Sequence, residues 1–180
     1  MSTIYTIGHG NRRIEELLEL LAAARIELLV DIRAFPGSRR HPQFRREALR
    51  AGLADKDIDY RWMGDTLGGR RAPLDDSPHV ALAAGVRGFA DYMRTYQFQT
   101  ATEELVLLAR QASKLAVMCA ETTPEHCHRS LLADYLTMGG NPVTHLVDRD
   151  VTREHGISMT ARITESGLTY DRHATRELSL

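Results

Sequence analysis

The sequence predicts an α/β fold: a single three-layer domain on a mostly parallel sheet, with helices on both faces. Three observations carry this expectation. Strand-length apolar runs alternate with stretches whose apolar residues recur at helical spacing. The strand runs are nearly continuous in apolar residues, as parallel strands covered on both faces require. Finally, the loops that follow strands are rich in Arg, His and Cys, whereas the returning connections, such as Ala24-Arg25 and Gln111-Ala112-Ser113, are short and chemically plain.

In chain order, residues 3–7 read as a strand closed by the turn Gly8-His9-Gly10-Asn11. Asn11 is expected to cap a helix whose first turns hold Glu15 and Glu16, where carboxylates favour the helix dipole. Ile14, Leu17, Leu18 and Leu21 share one face of it. Residues 28–32 form a second strand interrupted only by Asp31. A polar loop over residues 33–42 then precedes a helix over 43–54. The third strand is residues 58–63, followed by a long loop over 64–78 containing Leu67-Gly-Gly-Arg-Arg71. Leu82, Val86, Phe89, Ala90 and Met93 mark another helix, and Thr100 with Glu103 reads as a capping box ahead of Leu105, Leu108 and Ala112. Residues 115–119 are the clearest buried strand. The helix through Leu131, Leu132, Tyr135 and Leu136 stops at Gly139-Gly140. Residues 143–147 are expected as the last strand, ending an α/β domain over 1–148. Residues 149–180 read as a polar C-terminal extension, docked or partly disordered.

A chain of 180 residues is long enough for one well-buried core and short for two. Hydrophobic content of 43% and charged content of 26% are ordinary for a globular protein. A formal charge of -1 points to neither a bulk nucleic-acid binder nor a membrane-surface protein. Of 23 basic residues only Lys56 and Lys114 are lysines, which leaves 21 arginines, the better residue for bidentate grip on phosphate or carboxylate. A coding bias toward arginine is the alternative explanation. Residues 1–10 carry no basic region followed by an apolar stretch, and no run is apolar enough for a membrane span. With two cysteines and no export signal, free thiols and a cytoplasmic location are expected.

In open α/β sheets, ligands bind beyond the carboxyl ends of the strands. Those ends carry His9, Asn11 and Arg12; then Arg33, Arg39, Arg40 and His41; then Asp65, Gly68, Gly69, Arg70 and Arg71; then Cys119, Glu121, His126, Cys127, His128 and Arg129. The last group puts two thiols, two imidazoles, a carboxylate and a guanidinium within eleven residues. Cys127 before a helix, flanked by histidines and followed by Arg129, is the environment that favours a thiolate. A metal site using Cys119, Cys127 and His126 or His128 is a second reading. The seven-residue gap between the cysteines departs from the usual spacing of structural zinc sites. A third reading is anion binding at the helix start with Arg129, the thiols serving only as packing. Gly8-His-Gly-Asn-Arg12 resembles a phosphate loop only in outline, lacking the Walker lysine and the G-x-G-x-x-G spacing. His145 reads as a satisfied core or edge histidine, and Trp62 as core.

The segments Thr6-Ile-Gly-His-Gly-Asn-Arg12, Leu29-Val-Asp-Ile-Arg33 with Pro36, Ser38 and Arg39, Leu67-Gly-Gly69, and Met118-Cys-Ala-Glu121 with Cys127-His-Arg129 resemble the domain of unknown function 488 family. The resemblance runs in order from residue 4 to about 147, and Cys-x-Glu…Cys-His-Arg is its most specific piece. Members more often carry serine at the place of Gly10 and valine at that of Ile32. The resemblance implies a compact α/β domain with these loops together and supplies no reaction.

The expectation drawn from the residues is an enzyme acting on a phosphate-bearing small molecule or nucleotide. Cys127 would be nucleophile or redox thiol, His9 or His128 the general base, and Glu121 an orienting group or proton donor, with Cys119 alongside. Arg12, Asn11, Arg33, Arg39, Arg70 and Arg129 would bind the anion. The alternatives are a metal-binding module and a non-catalytic nucleic-acid-binding module. The sequence specifies no cofactor, oligomeric state or strand order.

Overall fold

The computed structural model describes residues 2–37 and 39–172, the side chain of His126 excepted. Ser38 and the end of the C-terminal extension, from residue 173, lie outside the described residues.

Six strands form the main sheet: β1 (Ile4–Gly8), β2 (Leu28–Asp31), β3 (Asp59–Trp62), β4 (Leu115–Cys119), β5 (Val143–Asp148) and β6 (Val151–Glu154), in the order β3-β2-β4-β1-β5-β6. The first five are mutually parallel, and β6 pairs antiparallel with β5. Helices α1 (Ile14–Ala23) and α2 (Arg46–Ala54) cover one face, packing Leu17, Leu21, Leu49 and Leu53 against Ile7, Leu29, Ala116 and Met118. After the single turn α3 (Gly64–Leu67), helices α4 (Ala84–Tyr92), α5 (Tyr96–Gln111) and α6 (His128–Met138) cover the other. There Phe89, Phe98, Leu105 and Leu131 meet Val30, Leu115 and Val117. Alternate residues of β4 therefore serve opposite cores, which is why the strand is apolar throughout.

This strand order positions the site. β1 and β4 are neighbours, yet β1 leads into α1 on one face and β4 into α6 on the other. Two loops leaving adjacent strands in opposite directions open a crevice between them, the topological switch point of a doubly wound sheet. Backbone bonds carry the pairing past the strand ends: His9 N–H donates to Cys119 O (3.1 Å) and Gly10 N–H to Ala120 O (2.9 Å).

Several boundaries differ from the sequence reading. α1 starts at Ile14 after Arg13, whose backbone N–H donates to Glu16, so Asn11 lies in the turn and caps nothing. α5 starts at Tyr96, capped by the Thr95 hydroxyl, so Thr100 and Glu103 mimic a capping box from inside the helix. The helix read over 43–54 is a 3-10 turn, Pro42–Phe44, followed by α2. Past residue 147 the chain adds β6 and a hairpin, β7 (Ala161–Thr164) and β8 (Gly167–Tyr170). These strands are four residues each, and β6 is exposed at every position, so no apolar period marks it. Tyr170 nevertheless reaches the core beneath α4 and α6 and donates its hydroxyl to Asp134 (3.0 Å).

Gly8 is the tightest point of the crevice: a Cβ there would lie 1.8 Å from the Glu121 carbonyl oxygen. Gly8→Ala is expected to force the β4–α6 loop outward and destabilise the fold by about 2 kcal/mol or more, read as a lowered urea midpoint at unchanged slope.

Candidate functional site

A cavity of about 350 Å³ lies over the ends of β1, β2 and β4, bounded by His9, Arg33, Phe35, His41, Arg70, Glu121, Cys119, Cys127 and His128. Its floor is a closed hydrogen-bonded unit. Asp31, at the end of β2, accepts from the Arg33 backbone N–H (3.0 Å), Arg33 Nε (2.9 Å) and Nη2 (2.7 Å), and the Tyr60 hydroxyl (2.8 Å). Trp62 Nε1 donates to Arg33 O (2.9 Å), so the lone tryptophan is a strut beneath the site. Arg33 Nη1 faces His9 Nε2 at 3.3 Å, and His9 Nδ1 faces Gly10 O at 2.9 Å. A guanidinium can only donate and a carbonyl only accept, so His9 is the neutral Nδ1–H tautomer. Burial holds its pKa down at about 4, aided by the Arg33 and His41 charges. Its ring stacks on Phe44, centroids 4.3 Å apart.

The other wall comes from β4 and α6. Cys119 ends β4 and Cys127 is the N-cap position of α6. Their sulfurs lie 2.9 Å apart, and His128 Nδ1 is 3.4 Å from Cys127 Sγ. The surroundings of the two thiols differ. The Cys119 thiol and His128 favour charge on Cys127, as does the Arg129 backbone amide in the first turn of α6, and together they pull its pKa far below the ordinary thiol range. Burial, and then the neighbouring Cys127, push Cys119 well above it. The two sulfurs are thus pushed in opposite directions, Cys127 toward the thiolate and Cys119 toward the thiol.

Arg129, only 1% exposed, donates from Nη2 to the carbonyls of Glu121 and Thr122, both at 3.1 Å. It clamps the loop that carries the thiols. From the third wall, Gly69 packs on the His128 ring so closely that a Cβ would sit 2.3 Å from Nδ1. His128 Nε2 is buried with no hydrogen-bond partner among the described residues.

Of the residues singled out from sequence, His9, Arg33, Arg70, Cys119, Glu121, Cys127 and His128 meet at this cavity. Arg12 does not: it donates to Gly8 O and Val147 O, both at 2.6 Å, bracing β1 against β5. Asn11 and Arg39 are exposed and stand outside the lining. Arg129 is behind the wall, acting on the loop's backbone. Among the described residues no three His, Cys, Asp or Glu side chains converge to hold a metal ion. Two thiolates on a tetrahedral zinc at about 2.3 Å each would sit about 3.8 Å apart, wider than the sulfurs here. No helix among the described residues is long and apolar enough to cross a membrane.

Sequence reasoning missed Phe35, exposed at the rim under Arg70 (5.6 Å), and Gly85 and Val86 at the start of α4. Phe35 had a signal in its place after β2; α4 enters from beyond the third strand and left none. It also missed a buried chain on the far side of α6, Thr6–His145–His155–Asp134, with contacts of 2.7, 2.9 and 2.8 Å, beside a second cavity of about 750 Å³. His145 is indeed satisfied in the core, its pKa brought down to about 4 by burial and then by His155.

The family described as Domain of unknown function DUF488 matches residues 13–136. No curated protein and no solved structure matches the chain.

The depressed histidines fix a pH response. His9 and His145 are neutral when folded down to about pH 4, whereas in the unfolded chain they bind protons below about 6.5. The unfolded state therefore holds more protons between these limits, and stability falls as pH drops through that window, by up to about 2.7 kcal/mol per pH unit for the two together. Chemical denaturation from pH 7 to 4 is expected to show this fall, and a His9→Gln/His145→Gln variant a shallower one.

Proposed function

As the chain belongs to the DUF488 family, whose description leaves its function open, we infer a function from the site: a thiolate-dependent enzyme acting on a small anionic molecule. A phosphate-bearing compound or nucleotide is the substrate class that fits the sequence and the cavity together. The observation that carries the reading is the polarised sulfur pair, with Cys127 charged at the start of α6 and opening onto a cavity at the switch point. A volume of about 350 Å³ falls at the small end of the usual range for small-molecule sites, about 300–1,000 Å³.

In this reading Cys127 Sγ attacks an electrophilic atom of the substrate. His128, at hydrogen-bond reach of the sulfur, is the proton-handling group, and its unpartnered Nε2 gains a partner when substrate fills the cavity. His9 does not serve as base, because Arg33 occupies its one lone pair. Arg33 is itself neutralised by Asp31, so the anion is taken by Arg70, exposed at the rim and in no carboxylate ion pair among the described residues. Glu121, exposed at the rim, orients the substrate or donates a proton.

Alkylation by iodoacetamide tests this. Cys127 is expected to react with a pH midpoint well below about 8.5, the ordinary thiol value, and Cys127→Ser to lose that reactivity. Inorganic phosphate should slow the labelling, and Arg70→Ala should weaken this protection about tenfold, the loss of one charge-assisted hydrogen bond. A normal midpoint, or labelling indifferent to phosphate, overturns the reading.

A further inference from the structure

We propose that Cys119 is the resolving thiol of a dithiol–disulfide couple, and that the site reduces a small disulfide carrying carboxylates. The inference rests on the reading of Cys127 as the nucleophile and goes beyond it by assigning the second sulfur and a class of electrophile.

The geometry supplies both halves of such a couple. The sulfurs are 2.9 Å apart, and a disulfide needs about 2.0 Å, so closure takes a shift of less than about 1 Å. Both cysteines are free, and they sit on different elements joined by a loop that Arg129 clamps. Cys119 is 1% exposed against 6% for Cys127. An incoming molecule meets Cys127 first, and an adduct on Cys127 then lies directly against Cys119. The two sulfurs also differ in the way the chemistry requires. The surroundings of Cys127 favour its charge, whereas burial disfavours charge on Cys119.

The steps balance as follows. The Cys127 thiolate attacks one sulfur of the substrate disulfide, forming a mixed disulfide and releasing the other half as a thiolate. Cys119 then attacks Cys127 Sγ, and its proton ends on the second departing thiolate. The Cys119–Cys127 bond forms as the mixed disulfide breaks. Two electrons move from the protein to the substrate, which leaves as one thiolate, free to take a proton from water, and one thiol, and the protein is left as an intramolecular disulfide. Arg70, at the rim of the cavity, selects for carboxylates on the substrate.

Oxidised glutathione, a disulfide bearing several carboxylates, is the probe, with the uncharged 2-hydroxyethyl disulfide as comparison and intact-protein mass as readout. The wild-type chain is expected to lose two hydrogens and carry no adduct. Cys119→Ser, or Cys119→Ala where serine disturbs the packing, should instead accumulate one glutathionyl group on Cys127. Cys127→Ser should do neither. Arg70→Ala should lower the preference for the charged over the neutral disulfide by about tenfold. A wild-type chain that keeps its adduct, or a Cys119 variant that forms none while Cys127 still labels at low pH, would falsify the couple and leave the nucleophile intact. Loss of low-pH labelling itself removes the nucleophile, and with it this inference.

Discussion

A buried positive charge organises the site. The Arg129 guanidinium is almost completely covered, and among the described residues no carboxylate lies at ion-pair distance from it. Burying an unpaired charge costs several kcal/mol, so its compensation must come from nearby dipoles and anions. The carbonyls of Glu121 and Thr122 supply part. Its Nε is buried with no hydrogen-bond partner among the described residues, and its charge acts on the neighbouring Cys119, favouring ionisation there against the stronger effect of burial.

The two sides of the crevice divide the work. On the α1 side every polar group is spent: Asp31 takes four donors, Arg33 gives to Asp31 and His9, and His9 is locked between Arg33 and Gly10. Such a unit is rigid and inert, suited to positioning. On the α6 side capacity is left over, in the sulfur of Cys127 and in His128 Nε2. Reactivity belongs where satisfied groups give way to unsatisfied ones, and the topological switch point sets that boundary between β1 and β4.

Much of this was legible in the sequence because the rule that ligands sit beyond strand ends needs only strand order along the chain. It grouped His9, Arg33, Arg70 and the Cys119–Arg129 segment correctly onto one edge. It could not give direction. Arg12 belongs to the same post-β1 turn as His9, but the chain turns at Gly10 and sends Arg12 across to Val147. Arg129 is two residues past Cys127, and on a helix beginning at His128 that offset points it inward beneath the loop. Phase within the first helical turn separates ligand from clamp, and phase depends on a start point that is uncertain by a residue or two. The many arginines that looked like a phosphate track are partly absorbed by the fold: Arg61 pairs with Glu104, Arg153 with Glu125 and Arg162 with Asp171.

The terminal strands, invisible to periodicity, bear on the same helix. Asp134, fully buried in the middle of α6, accepts from His155, from the Ser158 backbone N–H and from Tyr170. With His145 neutral, one proton order satisfies the whole chain: Thr6 gives to His145, His145 to His155, and His155 to Asp134. This ties β1, β5 and the segment after β6 to the body of α6, while Arg129 ties the helix start to the β4 loop. The family match ends at residue 136, yet the partners that pin Asp134 lie beyond it. The helix that begins beside Cys127 is thus held in place by residues outside the matched segment, His155 and Tyr170, neither of which lines the smaller cavity.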